Sequence, residues 1–253
     1  MARGPHLTEE HIALVLAAAK SATEILQSHG IPSAIFGSLA SHLYGAPRLP
    51  KDVDILTIPP AGFSEHSGDL LQEELKALIA RSRPRDFYLK DAKNPGDTYK
   101  ILIFRPSPSI NYPARSQEEI IKRADPECKI DILTPGTMHL PQLETSYIHW
   151  VAEIPLVPFS LLLVQKLQGW DDNRNAEEPF RRYRQHKDAK DVKALLGLKE
   201  FVNVLIQTGR DGWTNTELFS EEFQQLTKER VEGFARVFAS SAKQWRSLGF
   251  QLP

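Results

Sequence analysis

The chain has 253 residues, 41% hydrophobic and 25% charged, with 31 Lys and Arg against 32 Asp and Glu for a formal net charge of −1. This is enough apolar material for a large core in one or two domains, and it excludes a protein that grips nucleic acid over a wholly basic surface. The lone Cys128 excludes an intramolecular disulfide and a thiolate metal centre, so any metal falls to carboxylates or histidines.

Met1 is not followed by a charged-then-apolar leader, and no apolar run approaches about 18 residues, so an intracellular, non-membrane protein is expected. The first stretch, "LTEEHIALVLAAAKSATEILQSHG", predicts a helix capped by Thr8, with Ile12, Val15, Leu16, Ala19, Ala22 and Ile25 at helical spacing and a stop at Gly30. "SAIFG" then reads as a short strand, "SLASHLYG" as a two-turn helix ended by Gly45, and "DVDILTI" as a second strand broken by Pro59-Pro60. "GDLLQEELKALIARS" predicts a helix with Leu70, Leu71, Leu75, Leu78 and Ile79 as its apolar positions. "TYKILIF" and "CKIDILT" are further strands, separated by the loop "RPSPSINYPARS" and a short helix "QEEIIKRA". The first half is therefore α/β.

From about Ile154 the pattern becomes helical. One helix starts after Pro158 and "KDAKDVKALLGL" forms another, with helical periodicity continuing to near Leu248. The polar stretch "DDNRNAEEPFRRYRQHK" between them is expected as an exposed loop. Its Arg181, Arg182, Arg184 and Lys187, interleaved with Phe180 and Tyr183, form a solvated basic segment, or alternatively a surface that stacks on RNA.

Two carboxylates inside the second strand demand a reason. Side chains alternate along a strand, so Asp52 and Asp54 leave one face while Val53 and Ile55 enter the core. In "CKIDIL", Lys129, Asp131 and Leu133 share a face, so a neighbouring position in the sheet would bring Asp131 to the pair. Three clustered carboxylates repel unless a cation neutralises them, and an oxygen-only donor set suits Mg²⁺ or Mn²⁺. Two such ions can clamp the attacking and leaving oxygens of a phosphoryl displacement. Gly37 permits close backbone approach, and Ser38 at the start of the following helix offers a hydroxyl and free N–H groups to a triphosphate. The blander alternatives are a polar outer strand face for Asp52 and Asp54, an N-cap for Ser38, and for Asp131 an exposed strand residue paired with Lys129. Arg48 and Lys51 read as solvated loop cations, or alternatively as contacts to phosphates.

The stretch "FGSLASHLYGAPRLPKDVDIL" resembles the signature of the nucleotidyltransferase superfamily related to DNA polymerase β, in which Gly-Gly or Gly-Ser precedes an Asp-apolar-Asp strand. "IPLVPFSLLLVQKLQGWDD" and "RQHKDAKDVKALL" resemble the helical half of the AbiEii-type, toxin-like branch, so the likeness spans residues from about 31 to 197. It implies an α/β (α+β) fold: a small mixed sheet with flanking helices in a catalytic domain over residues 1–155, and an all-helical domain over 156–253 completing the nucleotide cleft. It implies a metal-dependent nucleotidyltransferase that moves a nucleoside monophosphate from a triphosphate to a hydroxyl acceptor. Gly37 and Ser38 would meet the triphosphate, Asp52 and Asp54 would hold Mg²⁺ or Mn²⁺, and Asp131 would be the third carboxylate and base. Lys166 would reach a phosphate, and either Asp188 or Asp191 would support the site. Relatives modify tRNA ends, proteins or small molecules such as aminoglycosides. The rival expectation is a catalytically silent, antitoxin-like binding module of the same fold. A kinase is excluded by the lack of "GxGxxG" and "DFG".

Overall fold

The structure, a computed structural model, describes residues 9–92, 96–106, 126–208 and 212–252. Helix α1 (Glu9–Ser28) buries Leu14, Val15, Ala18, Ala19, Ala22, Ile25 and Leu26 and ends just before Gly30, whose φ is +72°. Ile12 and Leu16 lie at the half-buried edge of that stripe, and the expected cap Thr8 lies outside the described residues. Strand β1 (Ser33–Phe36) is buried throughout and leads directly into α2 (Gly37–Leu43). Strand β2 (Val53–Thr57) and helix α3 (Gly68–Ser82) follow.

The inward face of α3 differs from expectation. Gln72, Leu75, Lys76 and Ile79 are buried, whereas Leu70 is 66% exposed. Residues 72, 75, 76 and 79 follow the i, i+3, i+4, i+7 spacing of one helical face, and Leu70 falls off it. Lys76 tolerates burial because its ammonium donates to the Lys100 carbonyl at 2.9 Å and to Glu73 at 2.6 Å.

Strands β3 (Phe87–Asp91), β4 (Lys100–Phe104) and β5 (Cys128–Leu133) complete one side of the sheet. The expected helix "QEEIIKRA" lies outside the described residues. A hairpin of β6 (His149–Val151) and β7 (Ile154–Leu156) completes the other side, giving the order β3-β4-β5-β2-β1-β7-β6. The sheet is mixed: β2 pairs β5 in parallel, while β1–β2, β3–β4 and β4–β5 are antiparallel.

The polar stretch expected as a loop is mostly helix. Helix α4 (Phe159–Arg174) runs through Asp171 and Asp172, and α5 (Pro179–Leu196) starts at Pro179, leaving only residues 175–178 between them. A proline suits the first turn of a helix because its missing N–H would be unpaired there and its φ is already near helical. Helices α6 (Lys199–Thr208), α7 (Glu221–Val237) and α8 (Ala242–Ser247) follow, with the Ser220 hydroxyl capping α7 by accepting from the Phe223 N–H at 3.2 Å.

The chain divides into two compact units. One comprises Met1–Leu39, Leu49–Thr137 and Trp150–Pro155; the other comprises Ala40–Arg48, Met138–His149 and Leu156–Pro253. In the second unit α4 is buried along most of Phe159–Trp170 and lies at the centre, packed against α5 and α7. Trp170 meets Phe234 edge-on at 4.8 Å, and Tyr44 packs edge-on against Phe159 and Phe201 while its hydroxyl donates to the Val157 carbonyl at 2.7 Å. Among the described residues, no helix is long and apolar enough to cross a membrane.

Candidate active site

Strand β1 ends at Phe36, which stands opposite Asp54 in the antiparallel register with β2. The next residue, Gly37, has φ +67°, and a Cβ placed there would lie 1.8 Å from Asp54 Oδ2. The backbone therefore passes against the Asp54 carboxylate, and only glycine fits. Ser38 follows at 4% exposure, and its hydroxyl donates to Asp52 Oδ1 at 3.4 Å.

Asp52 immediately precedes β2 and Asp54 lies within it, both half-buried, while Val53 and Ile55 are fully buried on the other face. In the parallel pairing of β2 with β5, Asp54 is in register with Asp131. Neighbouring strands run about 4.8 Å apart, so the acids lie on adjacent positions of one sheet face. Burial along β5 alternates as the sequence implies, with Cys128, Ile130 and Ile132 inward and Lys129 and Asp131 outward.

Asp131 does not converge on the other two carboxylates; it accepts from the Lys129 ammonium at 2.7 Å. Among the described residues, no three His, Cys, Asp or Glu side chains stand grouped to hold a metal ion. Lys129 supplies a positive charge to Asp131. Asp52, Asp54 and Asp131 nevertheless offer an all-oxygen donor set on one face, the chemistry that Mg²⁺ or Mn²⁺ takes.

Two neighbours register this negative field. Burial, followed by the charges of Asp52 and Asp54, pushes the Cys128 thiol up to about 12. Burial by itself lowers the Lys129 ammonium, but the hydrogen bond to Asp131 and the charges of Asp131, Asp52 and Asp54 outweigh it, and the net shift is upward.

In the second unit, Lys166 of α4 and Asp191 of α5 form an ion pair at 3.3 Å. Asp191 is only 4% exposed, and the same oxygen, Oδ2, also accepts from Arg48 Nη1. Asp188 makes a different contact, accepting from Asn173 Nδ2 at 2.7 Å. Of the two aspartates, then, it is Asp191 that meets Lys166. Burial and the Arg48 charge hold the Lys187 amine below its ordinary value, with Asp191 and Asp188 opposing and Lys166 adding to the effect. Beside these groups opens a groove of about 700 Å³ lined by Pro47, Arg48, Tyr183, Lys187, Lys190 and Asp191 among others.

The sequence reads Arg48 as a loop cation and Lys187 as part of a basic segment, and it offers Lys129 as one partner of Asp131, the pairing found here. Lys129 carries a local signal, since it lies two residues before Asp131 on the same strand face. Arg48 carries none, because its carboxylate partner is 143 residues away in the chain.

The family model described as nucleotidyl transferase AbiEii toxin, of type IV toxin–antitoxin systems, matches residues 38–243. Among solved structures, an antigenic nucleotidyltransferase-like protein from Paracoccidioides brasiliensis is similar with a TM-score of 0.59 at 13% identity, covering 97% of this chain and 95% of that one. A putative nucleotidyltransferase from H. pylori covers 94% of this chain and 99% of its own at 14% identity, with a TM-score of 0.42. No curated protein matches the sequence. At such identity the Paracoccidioides structure shows a shared fold.

Proposed function

The chain belongs to the AbiEii nucleotidyl transferase toxin family and is a transferase, and from that premise we propose that it moves a nucleoside monophosphate from a nucleoside triphosphate to a hydroxyl acceptor, releasing pyrophosphate. The acceptor is an RNA end, such as that of tRNA, a protein or a small molecule, and the reaction takes place in the cytoplasm. In this proposal the catalytic carboxylates come from residues 1–155, and 156–253 form the helical domain. One observation carries this reading: the Gly37 backbone lies against the Asp54 carboxylate, and Asp131 stands in register beside Asp54 on the neighbouring strand.

In this reading Asp52, Asp54 and Asp131 would hold Mg²⁺ or Mn²⁺, which would supply charge neutralisation for the triphosphate and the displaced oxygens. The Gly37 backbone approaches the phosphates where a side chain would obstruct them, and the Ser38 hydroxyl, which donates toward Asp52, donates instead to a phosphate oxygen. Asp131 leaves Lys129 and takes the proton of the acceptor hydroxyl as that oxygen attacks the α-phosphorus and the bond to the pyrophosphate oxygen breaks. Lys166, held by Asp191, meets a phosphate of the leaving group. Asp188 binds Asn173 and braces the α4–α5 pair. Catalysis is then chiefly positioning and charge stabilisation.

The test is label transfer from each α-³²P nucleoside triphosphate, with Mg²⁺ or Mn²⁺, to total RNA and protein extract. The Asp52→Asn/Asp54→Asn variant is expected to fold normally by circular dichroism and to lose at least about 10³-fold in rate. A variant that retains wild-type transfer removes the two aspartates from the reaction.

A further inference from the structure

Arg48 sits in the segment Ala40–Arg48, which belongs to the same compact unit as α4 and α5. Its guanidinium and the Lys166 ammonium bind a single oxygen, Asp191 Oδ2, on a carboxylate that is 4% exposed. One carboxylate cannot neutralise two cations. Lys187 stands close by, one turn before Asp191 on α5, and the other acid of that turn, Asp188, is engaged by Asn173. Positive charge is therefore in excess around Asp191, beside a groove that Arg48 and Lys187 both line. Gathering like charges in a partly buried place is costly unless an anion visits it.

Resting on the reading of Lys166 as the phosphate contact, we propose that Arg48 is a positioning residue for the transfer reaction: it engages Asp191 so that this carboxylate orients Lys166 without cancelling its charge. Without the guanidinium, Asp191 and Lys166 close into a one-to-one pair, which neutralises the ammonium and withdraws its N–H groups from a phosphate. Arginine suits the task because it never loses its proton and its planar guanidinium fixes the direction of the N–H that meets Asp191 Oδ2. Lysine at this position would keep the charge and lose that fixed direction.

Two readouts test this. In steady-state transfer, using whichever α-³²P nucleoside triphosphate labels best, Arg48→Met is expected to raise KM for the triphosphate about tenfold while kcat changes less than about twofold. In trace acetylation with acetic anhydride, read residue by residue by mass spectrometry on nucleotide-free protein, Lys166 is expected to label about fivefold more slowly in Arg48→Met, because Asp191 then closes on its amine. Arg48→Lys should bring Lys166 labelling back to within about twofold of wild type and raise KM only about threefold. This variant also supplies the KM comparison should Arg48→Met not fold, and a wild-type KM in it then overturns the proposal. Unchanged Lys166 labelling or unchanged KM in folded Arg48→Met overturns it as well, since a merely structural arginine would lower the melting temperature and move neither. Slowed Lys166 labelling in a protein whose wild type transfers no nucleotide keeps the role of Arg48 on Lys166 and overturns the transfer reading instead.

Discussion

Asp54 can stand against the end of β1 only because residue 37 has no side chain, and the pairing of Phe36 with Asp54 brings the two together. The Gly-Ser dipeptide is thus the steric complement of the second aspartate of "DVD". The sequence points to close backbone approach at Gly37 and to a shared face for Asp52 and Asp54; that Gly37 meets Asp54 follows from the β1–β2 register. The field of the carboxylates extends to the inner face of β5, where it adds to burial in raising Cys128 from an ordinary 9.0 to about 12. A thiol held neutral in the folded chain favours folding fully below the unfolded value near 9, and that contribution is lost as pH rises from there toward 12. The alkaline fall in melting temperature over this window should therefore be shallower in Cys128→Ala. Iodoacetamide should alkylate native Cys128 at pH 8 about 10³-fold more slowly than a free cysteine; alkylation at the free-thiol rate would show that the residue is neither buried nor under the field of Asp52 and Asp54.

At the scale of elements, periodicity located α1, α2, α3 and strands β1, β2, β4 and β5, because each carries its pattern within its own length. Where it failed, the reason is local. The hairpin of β6 and β7 has three-residue strands and no Gly or Asn in its two-residue turn, so it gives no hairpin signal; Ala152 and Glu153 occupy that turn with φ of +47° and +65°. Side chains with a Cβ are strained in this region, and asparagine tolerates it better than alanine. Ala152→Asn is accordingly expected to stabilise the protein by about 0.5–1 kcal/mol and to raise the melting temperature by about 2 °C, read by calorimetry. A lower melting temperature would mean that the turn does not constrain this residue. The polar stretch over 171–187 reads as a loop for a related reason: its charges suggest solvent, but Pro179 at a first helical turn is a start signal rather than a break.

At the scale of the molecule, the chain returns to each compact unit more than once. Residues 40–48 and 138–149 belong with 156–253, and Tyr44 packs its ring on Phe159 and Phe201 and its hydroxyl on the Val157 carbonyl. Residues 156–253 expressed alone lack that ring and the segment around it, so they are expected to melt without a cooperative transition in calorimetry. A sharp, two-state transition would show that the helices close their own core. The sequence by itself determined which side chains could carry the chemistry, because Gly37, Ser38, Asp52 and Asp54 lie within eighteen consecutive residues and their faces follow from strand and helix geometry. Only the tertiary structure decided that Asp131 stands in register beside Asp54, that Asp191 rather than Asp188 meets Lys166, and that Arg48 shares the same oxygen. Those facts depend on strand register and helix packing between residues far apart in the chain, and such contacts leave no periodic trace in the segments that make them.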